Sequence, residues 1–208
     1  MTSGIRTWVA GAGVALLMAG AAAPMAAAAP ASTTARPGMI DIADLPPDSL
    51  PWSGGAHDEP GWYSDGPCSA GFGVGGIPED SIWDAGFSTS ETASVSEHAI
   101  VLPTEAEAVA LAESIRQYFA GCADRWRAGS PVYTVTGYDY GSLDVEEGAT
   151  VGGVHLTRNP SWEGYRNFLY GVGRDGNTVA YVEWESNWTQ PDVPAFKETV
   201  RAAVNKLY

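Results

Sequence analysis

Residues 165–186 read YRNFLYGVGRDGNTVAYVEWES, and this stretch decides the fold. Two runs rich in aromatic and β-branched residues flank the tetrapeptide RDGN, which is typical of a tight β-hairpin turn. Apolar and polar residues alternate in the second run, where one strand face carries Ala180, Val182 and Trp184. The other face carries Tyr181, Glu183 and Glu185. The pattern predicts an antiparallel hairpin with its apolar face in the core and its polar face towards solvent.

Further strands precede this hairpin, one helix interrupts the series of strands, and a second helix follows the hairpin. Strand patterns occur at 81–90, 92–102, 131–138 and 149–157. The clearest helix lies within residues 105–126, where apolar residues recur every three or four positions after a capping box formed by Thr104 and Glu107. A second amphipathic helix is predicted after Asp192. The order ββ-α-ββββ-α predicts a single-domain α+β fold with a mainly antiparallel sheet and two main helices.

A glycine- and proline-rich region before the strands contains a nucleotide-like motif. Residues 39–67 lack a hydrophobic period and are expected to form an irregular lead-in over the core. Gly71, Gly73 and Gly76 then match G-x-G-x-x-G, the fingerprint of dinucleotide-binding turns. That fingerprint needs a strand before it and a helix after it in a βαβ unit, and the predicted order supplies no such unit. We therefore expect no nucleotide at these glycines and no cofactor.

The first residues have the layout of a secretory signal peptide. Arg6 is followed by an uncharged Ala/Gly/Val/Leu run and then by small residues, with cleavage favoured after Ala31. The predicted organisation is a signal peptide at 1–31, a spacer at 32–38 and a single α+β domain at 39–208. This organisation predicts a secreted, extracellular protein with no stable membrane insertion after cleavage of the signal peptide. A retained N-terminal anchor is the alternative interpretation of the same run.

Charge and cysteine content narrow the range of partners. The formal net charge of −14 repels nucleic-acid phosphates and anionic membranes, so no nucleic acid is expected as a partner. The two cysteines, Cys68 and Cys122, are expected to form a disulfide in an oxidising compartment. A metal site is the alternative, but the sequence contains no C-x-x-C motif and its three histidines lie in separate segments. No metal site is predicted.

One carboxylate pair is the best catalytic candidate, because the sequence contains no familiar catalytic motif. Glu183 and Glu185 lie on one face of a predicted strand, about 6–7 Å apart by strand rise, near the separation that glycosidases use. A secreted glycosidase-like hydrolase that uses this pair is one hypothesis. Two solvated charges on the wet face of an antiparallel sheet are the simpler interpretation.

Tryptophans in loop-like sequence point instead to a ligand surface; they are Trp52, Trp62, Trp162 and Trp188. The alternative is that these side chains cap the core from the loops. Aromatic faces beside carboxylates suit a hydroxyl-rich or cationic ligand. We therefore predict a secreted binding protein without catalysis of its own, with a cleft formed by Tyr181, Glu183, Glu185, Trp188 and Trp162. Its partner is predicted to be an unidentified small molecule or cell-envelope ligand.

Parts of the chain resemble the PknH-like extracellular sensor domains of actinobacteria. EHAIVLPTEAEAVALAESIRQYFAGC (97–122) is similar to that family's strand, proline and helix that reach a cysteine. GRDGNTVAYVEWESNWTQPDVPAFKETVRAAVNKLY (173–208) resembles its closing hairpin and final helix, and IADLP (42–46) resembles its N-terminal portion. The resemblance spans about residues 40–208 and implies an extracytoplasmic α+β domain with a ligand-sized cleft and no catalytic residues. This sequence departs from the family in lacking a kinase domain and a second cysteine pair.

Overall fold

A seven-stranded antiparallel sheet forms the centre of the domain in a computed structural model of the chain. The structure describes residues 35–208 except 62–64, 159–163 and 188–190, so the predicted signal peptide lies outside the described residues. The strands are β1 (Ser53–Ala56), β2 (Ile82–Ser88), β3 (Ala93–Val101), β4 (Tyr133–Leu143), β5 (Ala149–Arg158), β6 (Tyr165–Asp175) and β7 (Thr178–Asn187). They stand in the order β1-β2-β3-β7-β6-β5-β4, and every neighbouring pair is antiparallel.

In the described part of the chain, three α-helices cover the two faces of this sheet. Helices α1 (Glu105–Ala120) and α2 (Cys122–Gly129) lie on one face, here termed the α1 face. Helix α3 (Val193–Asn205) lies on the opposite face, termed the α3 face. The α+β class and the mainly antiparallel sheet are therefore confirmed, with the central hairpin of β6 and β7 flanked by β5 and β3.

A side-chain cap at the N-terminus of each of the helices α1 and α3 fixes where that helix begins. Thr104 Oγ1 accepts a hydrogen bond from the Glu107 N–H at 3.2 Å and starts α1 where the capping box predicts. Asp192 Oδ1 accepts from the Ala195 N–H at 3.0 Å and starts α3. The helix predicted over 105–126 is divided at Gly121, which ends α1 and precedes α2.

Both faces of the β6–β7 hairpin are buried, which corrects one expectation. Ala180, Val182 and Trp184 take the core side, as predicted, and share a core cluster with residues of α3. The prediction that the opposite face points to solvent is wrong, because Tyr181 is only 1% exposed and Glu183 only 3% exposed. Tyr181 lies under α1, where Phe119 meets it edge-on with ring centroids 5.7 Å apart. Period-2 alternation cannot distinguish a solvated face from one that another element covers with polar groups inside.

Strand β1 was not predicted from the sequence, and the structure adds detail to the glycine motif that begins at Gly71. Strand β1 lies within the predicted irregular lead-in, and its SGGA sequence carries no strand signal because two of its four residues are glycine. Gly71 and Gly73 both have positive φ values, 80° and 59°, in a loop that leads to the short 3-10 turn Glu79–Ser81. The described strands are all antiparallel, so these glycines have no βαβ unit around them.

Candidate functional site

A cavity of about 420 Å³ lies where the strands β2, β3 and β7 meet residues 65–67. Its ionisable lining residues are all carboxylic acids, namely Asp65, Glu183 and Glu185. Serine hydroxyls line it too, from Ser88, Ser94 and Ser96. We term this site the acidic cavity. The strand register builds it, since Ser96 and Ser94 of β3 stand directly opposite Glu183 and Glu185 of β7.

Glu183 is the buried carboxylate of the acidic cavity. Its Oε1 accepts hydrogen bonds from two successive backbone N–H groups, of Cys68 at 2.7 Å and of Ser69 at 3.1 Å. Its Oε2 makes no hydrogen bond with any described residue. A side chain at Gly66 would collide with this carboxylate, so glycine lets the loop pass directly over it. One carboxylate thus ties β7 to the loop that walls the cavity.

The disulfide and two side chains of the helix pair anchor the same loop from the other side. Cys68 is bonded to Cys122 at the start of α2, which confirms the predicted disulfide. Arg125 Nη2 donates to the Cys68 carbonyl at 2.8 Å, and its guanidinium lies 3.7 Å from the centre of the Tyr118 ring. Tyr118 in turn donates its hydroxyl to the Ala70 carbonyl at 2.7 Å. These contacts hold the loop in place beside Glu183.

The carboxylates of the cavity have different electrostatic environments. Glu185 forms an ion pair with Arg166 of β6. Burial raises the pKa of Glu183, and the nearby charge of Asp65 raises it as well, against the lowering effect of hydrogen bonds from Ser69 and Cys68. Asp65 is exposed and has no ion-pair partner among the described residues. Burial and the charge of Asp65 therefore disfavour the ionised form of Glu183, and a cation in the cavity would favour it.

The structure brings only part of the predicted ligand set together. Glu183 and Glu185 line the acidic cavity, whereas Tyr181 lies outside it, packed against His98 with ring centroids 4.7 Å apart. Trp62, Trp162 and Trp188 lie outside the described residues. Among the loop tryptophans, Trp52 packs partly buried against the core and donates its Nε1–H to the Pro46 carbonyl at 2.8 Å. Trp52 therefore follows the alternative interpretation, in which a loop tryptophan caps the core.

Sequence reasoning missed Asp65 and the serines of β3. A signal for the serines was present, because Ser94, Ser96 and His98 share one face of a strand that was predicted from its period-2 pattern. Asp65 gave no local signal, since it belongs to the segment assigned to the irregular lead-in. Its place beside Glu183 depends on contacts that span more than one hundred residues of sequence.

A second cleft, of about 520 Å³, lies between the α1–α2 junction and strands β4 and β5. Its two cations are already paired. Arg116 Nη2 meets Glu113 Oε1 at 2.6 Å, and Arg127 forms an ion pair with Asp124. Because its charges are balanced and none of its carboxylates is buried, the acidic cavity is the stronger candidate for ligand recognition, although it is the smaller space.

Within residues 35–208 as described, no three His, Cys, Asp or Glu side chains are grouped so that they could hold a metal ion. None of the described helices combines the length and apolar character needed to cross a bilayer. No family model, no curated protein and no solved structure matches this chain.

Proposed function

We propose that the chain is a secreted, extracytoplasmic ligand-binding domain that has no catalysis of its own and that takes its ligand in the acidic cavity. The observation that carries the proposal is the arrangement around Glu183, a buried carboxylate held between a strand and an anchored loop. Open serine hydroxyls and two further carboxylates lie beside it. Such convergent acceptors suit a ligand that brings hydroxyl or cationic groups.

Export is part of this proposal and is supported by two features. The sequence of residues 1–31 has the composition of a signal peptide, although it lies outside the described residues. The Cys68–Cys122 disulfide is typical of proteins that fold in oxidising compartments. The resemblance to actinobacterial sensor domains agrees with the same compartment and with ligand binding. Sequencing the N-terminus of the protein recovered from culture medium would test export directly.

A substitution at Ser96 tests the position of the site. Ser96 stands opposite Glu183 and is half-buried, so Ser96→Val places two methyl groups in the cavity while keeping a residue that suits a strand. Hydroxyl-rich and cationic small molecules are first screened by thermal shift and ligand-observed NMR. Each compound that binds should lose about tenfold or more in affinity in Ser96→Val. Thr136→Val, on the exposed part of β4, is the matched control and should leave binding unchanged.

The predicted tryptophans give a second, separate test of the same proposal. Trp188 follows Asn187, the last residue of β7, three positions after Glu185. If it contacts the ligand as predicted, Trp188→Ala lowers affinity and leaves the melting temperature nearly unchanged. A Trp188→Ala protein that unfolds, or that binds every identified ligand normally, removes Trp188 from the site. Absence of any compound that responds to Ser96→Val would refute the proposed function itself.

The rival hypothesis, a glycosidase-like hydrolase, has one observation in its favour. Glu183 and Glu185 sit in contrasting environments, since burial raises the pKa of Glu183 while Arg166 pairs with Glu185. Acid–base pairs in enzymes need such a contrast. Against it, two backbone N–H groups already occupy Oε1 of Glu183. Hydrolysis of aryl glycosides that Glu185→Gln abolishes would favour the enzyme over the binding domain.

A further inference from the structure

The acidic cavity presents hydrogen-bond acceptors and negative charge but no positive charge. The described residues that line it include no lysine or arginine. Carboxylates accept hydrogen bonds and donate none when ionised, so the lining favours a ligand rich in donors. Ser88, Ser94 and Ser96 have hydroxyls without a side-chain partner in the described part of the chain, and they add further acceptor positions.

Compensation of charge within the cavity is incomplete. Arg166 balances Glu185, and two peptide N–H groups face Oε1 of Glu183. Oε2 of Glu183 has no hydrogen-bond partner among the described residues, although this oxygen is buried. Asp65 lies close enough for its charge to act on Glu183. Two carboxylates that repel one another across a partly enclosed space are stabilised when a cation enters between them.

The form of the site favours an organic cation over a metal ion. A bound divalent ion needs several oxygen ligands converging within about 2.6 Å of one point. The described acids do not form a group of three that could hold such an ion. They are instead distributed around a space of about 420 Å³, which suits an ammonium group attached to a small organic body.

On these grounds, and resting on the proposed function, we infer that the ligand of the acidic cavity is a small organic cation bearing a primary ammonium group. The ammonium group donates to the exposed carboxylate of Asp65, its charge acts on the buried carboxylate of Glu183 nearby, and the organic body lies along the serines of β2 and β3. A neutral polyol can satisfy the same acceptors but leaves the repulsion between the carboxylates in place. Recognition therefore depends on charge as well as on hydrogen bonding.

The test compares an amine with its neutral counterpart. Butane-1,4-diamine and butane-1,4-diol are titrated into the disulfide-bonded protein by calorimetry at 0.15 M salt, where long-range attraction by the protein's net charge is screened. The expected result is saturable one-to-one binding of the diamine and affinity for the diol lower by about a hundredfold. Equal affinity for diol and diamine, or no saturable binding of the diamine, overturns the inference.

Two charge-removing variants locate the binding. Asp65→Asn removes one exposed carboxylate of the cavity and should weaken diamine binding about tenfold. Glu198→Gln removes the same charge from the outer side of α3, where Glu198 pairs with Arg201, and should leave binding unchanged. Equal losses in both variants would mean attraction by net charge alone and would overturn the inference. Binding of neutral compounds that Ser96→Val abolishes, without binding of amines, would refute the cation class and leave the proposed function standing.

Discussion

The two faces of the same sheet are closed in different ways. On the α3 face, Val200 and Val204 of α3 rest directly on Gly171 and Gly173 of β6, where any side chain would collide with them. On the α1 face, helices cover the apolar half, and the anchored loop around Cys68 covers the polar half. A helix fills its contact with side chains, whereas this loop meets the sheet through backbone N–H groups. The cavity lies on the face where backbone replaces side-chain packing.

Each of the two faces of the sheet also buries acidic side chains. The α3 face buries Glu97, whose Oε2 accepts the Ile40 N–H at 2.8 Å beneath the N-terminal segment. The α1 face buries Asp84 and Glu183. Glu97 is enclosed beneath the N-terminal segment, whereas Glu183 borders an open space. The first is expected to affect stability alone, and the second to affect both stability and binding.

The largest loss of stability is expected from truncating a buried side chain on the α3 face. Phe196 of α3 is fully buried, so Phe196→Ala should lower the free energy of unfolding by about 3–5 kcal/mol, measured by urea denaturation. Val109→Ala on α1, where Val109 is 46% exposed, is the control and should change it by less than about 0.5 kcal/mol. Similar losses in both variants would mean that α3 does not seal the core as described.

Removal of the disulfide should act on the other face. Cys68→Ala with Cys122→Ala is expected to lower the free energy of unfolding by about 2–4 kcal/mol. Hydrogen exchange gives the location: amides of β7 should lose only the protection that corresponds to the fall in global stability, while the Ser69 amide, which donates to Glu183, should also exchange through local opening of the loop. Unchanged exchange at Ser69 would contradict the anchoring role of the disulfide.

The pH dependence of stability should distinguish the contribution of Glu97 from the contributions of Asp84 and Glu183 on the α1 face. Burial raises the pKa of Glu97 from 4.5 to about 8, so the folded state keeps a proton that the unfolded state has lost between these values. Stability therefore falls as pH rises through this window, by at most about 1.4 kcal/mol per pH unit for one proton. Glu97→Gln should flatten the dependence, and Glu198→Gln should not. A dependence that Glu97→Gln leaves intact would assign it to Asp84 and Glu183 instead.

The smallest effects are expected at the helix caps, one on each face. Thr104→Ala and Asp192→Ala each remove a side-chain acceptor from a helix N-terminus and should cost about 1 kcal/mol. Thermal denaturation of both variants tests whether α1 and α3 depend equally on their caps. A loss several times larger in one variant would show that its cap also holds tertiary contacts.

Local sequence patterns predict some elements of this fold and miss others. The capping box at Thr104 and the hairpin turn at 174–177 are local signals, and both appear where predicted. The break at Gly121 and the strand at Ser53–Ala56 were not predicted. Strand β1 depends on pairing with β2, some thirty residues away, and its glycine-rich sequence has no preference that would reveal it.

Sequence alone determined the α+β class, the order of the main strands and helices and the pairing of the two cysteines, because periodicity, caps, turns and cysteine count are local or countable properties. Only the tertiary structure decided that the face bearing Tyr181 and Glu183 is covered, and that Asp65 joins Glu183 and Glu185 around one cavity. Alternation along a strand fixes which residues share a face, but it holds no information about what covers that face. That depends on a loop brought there by a disulfide and a carboxylate more than one hundred residues further along the chain.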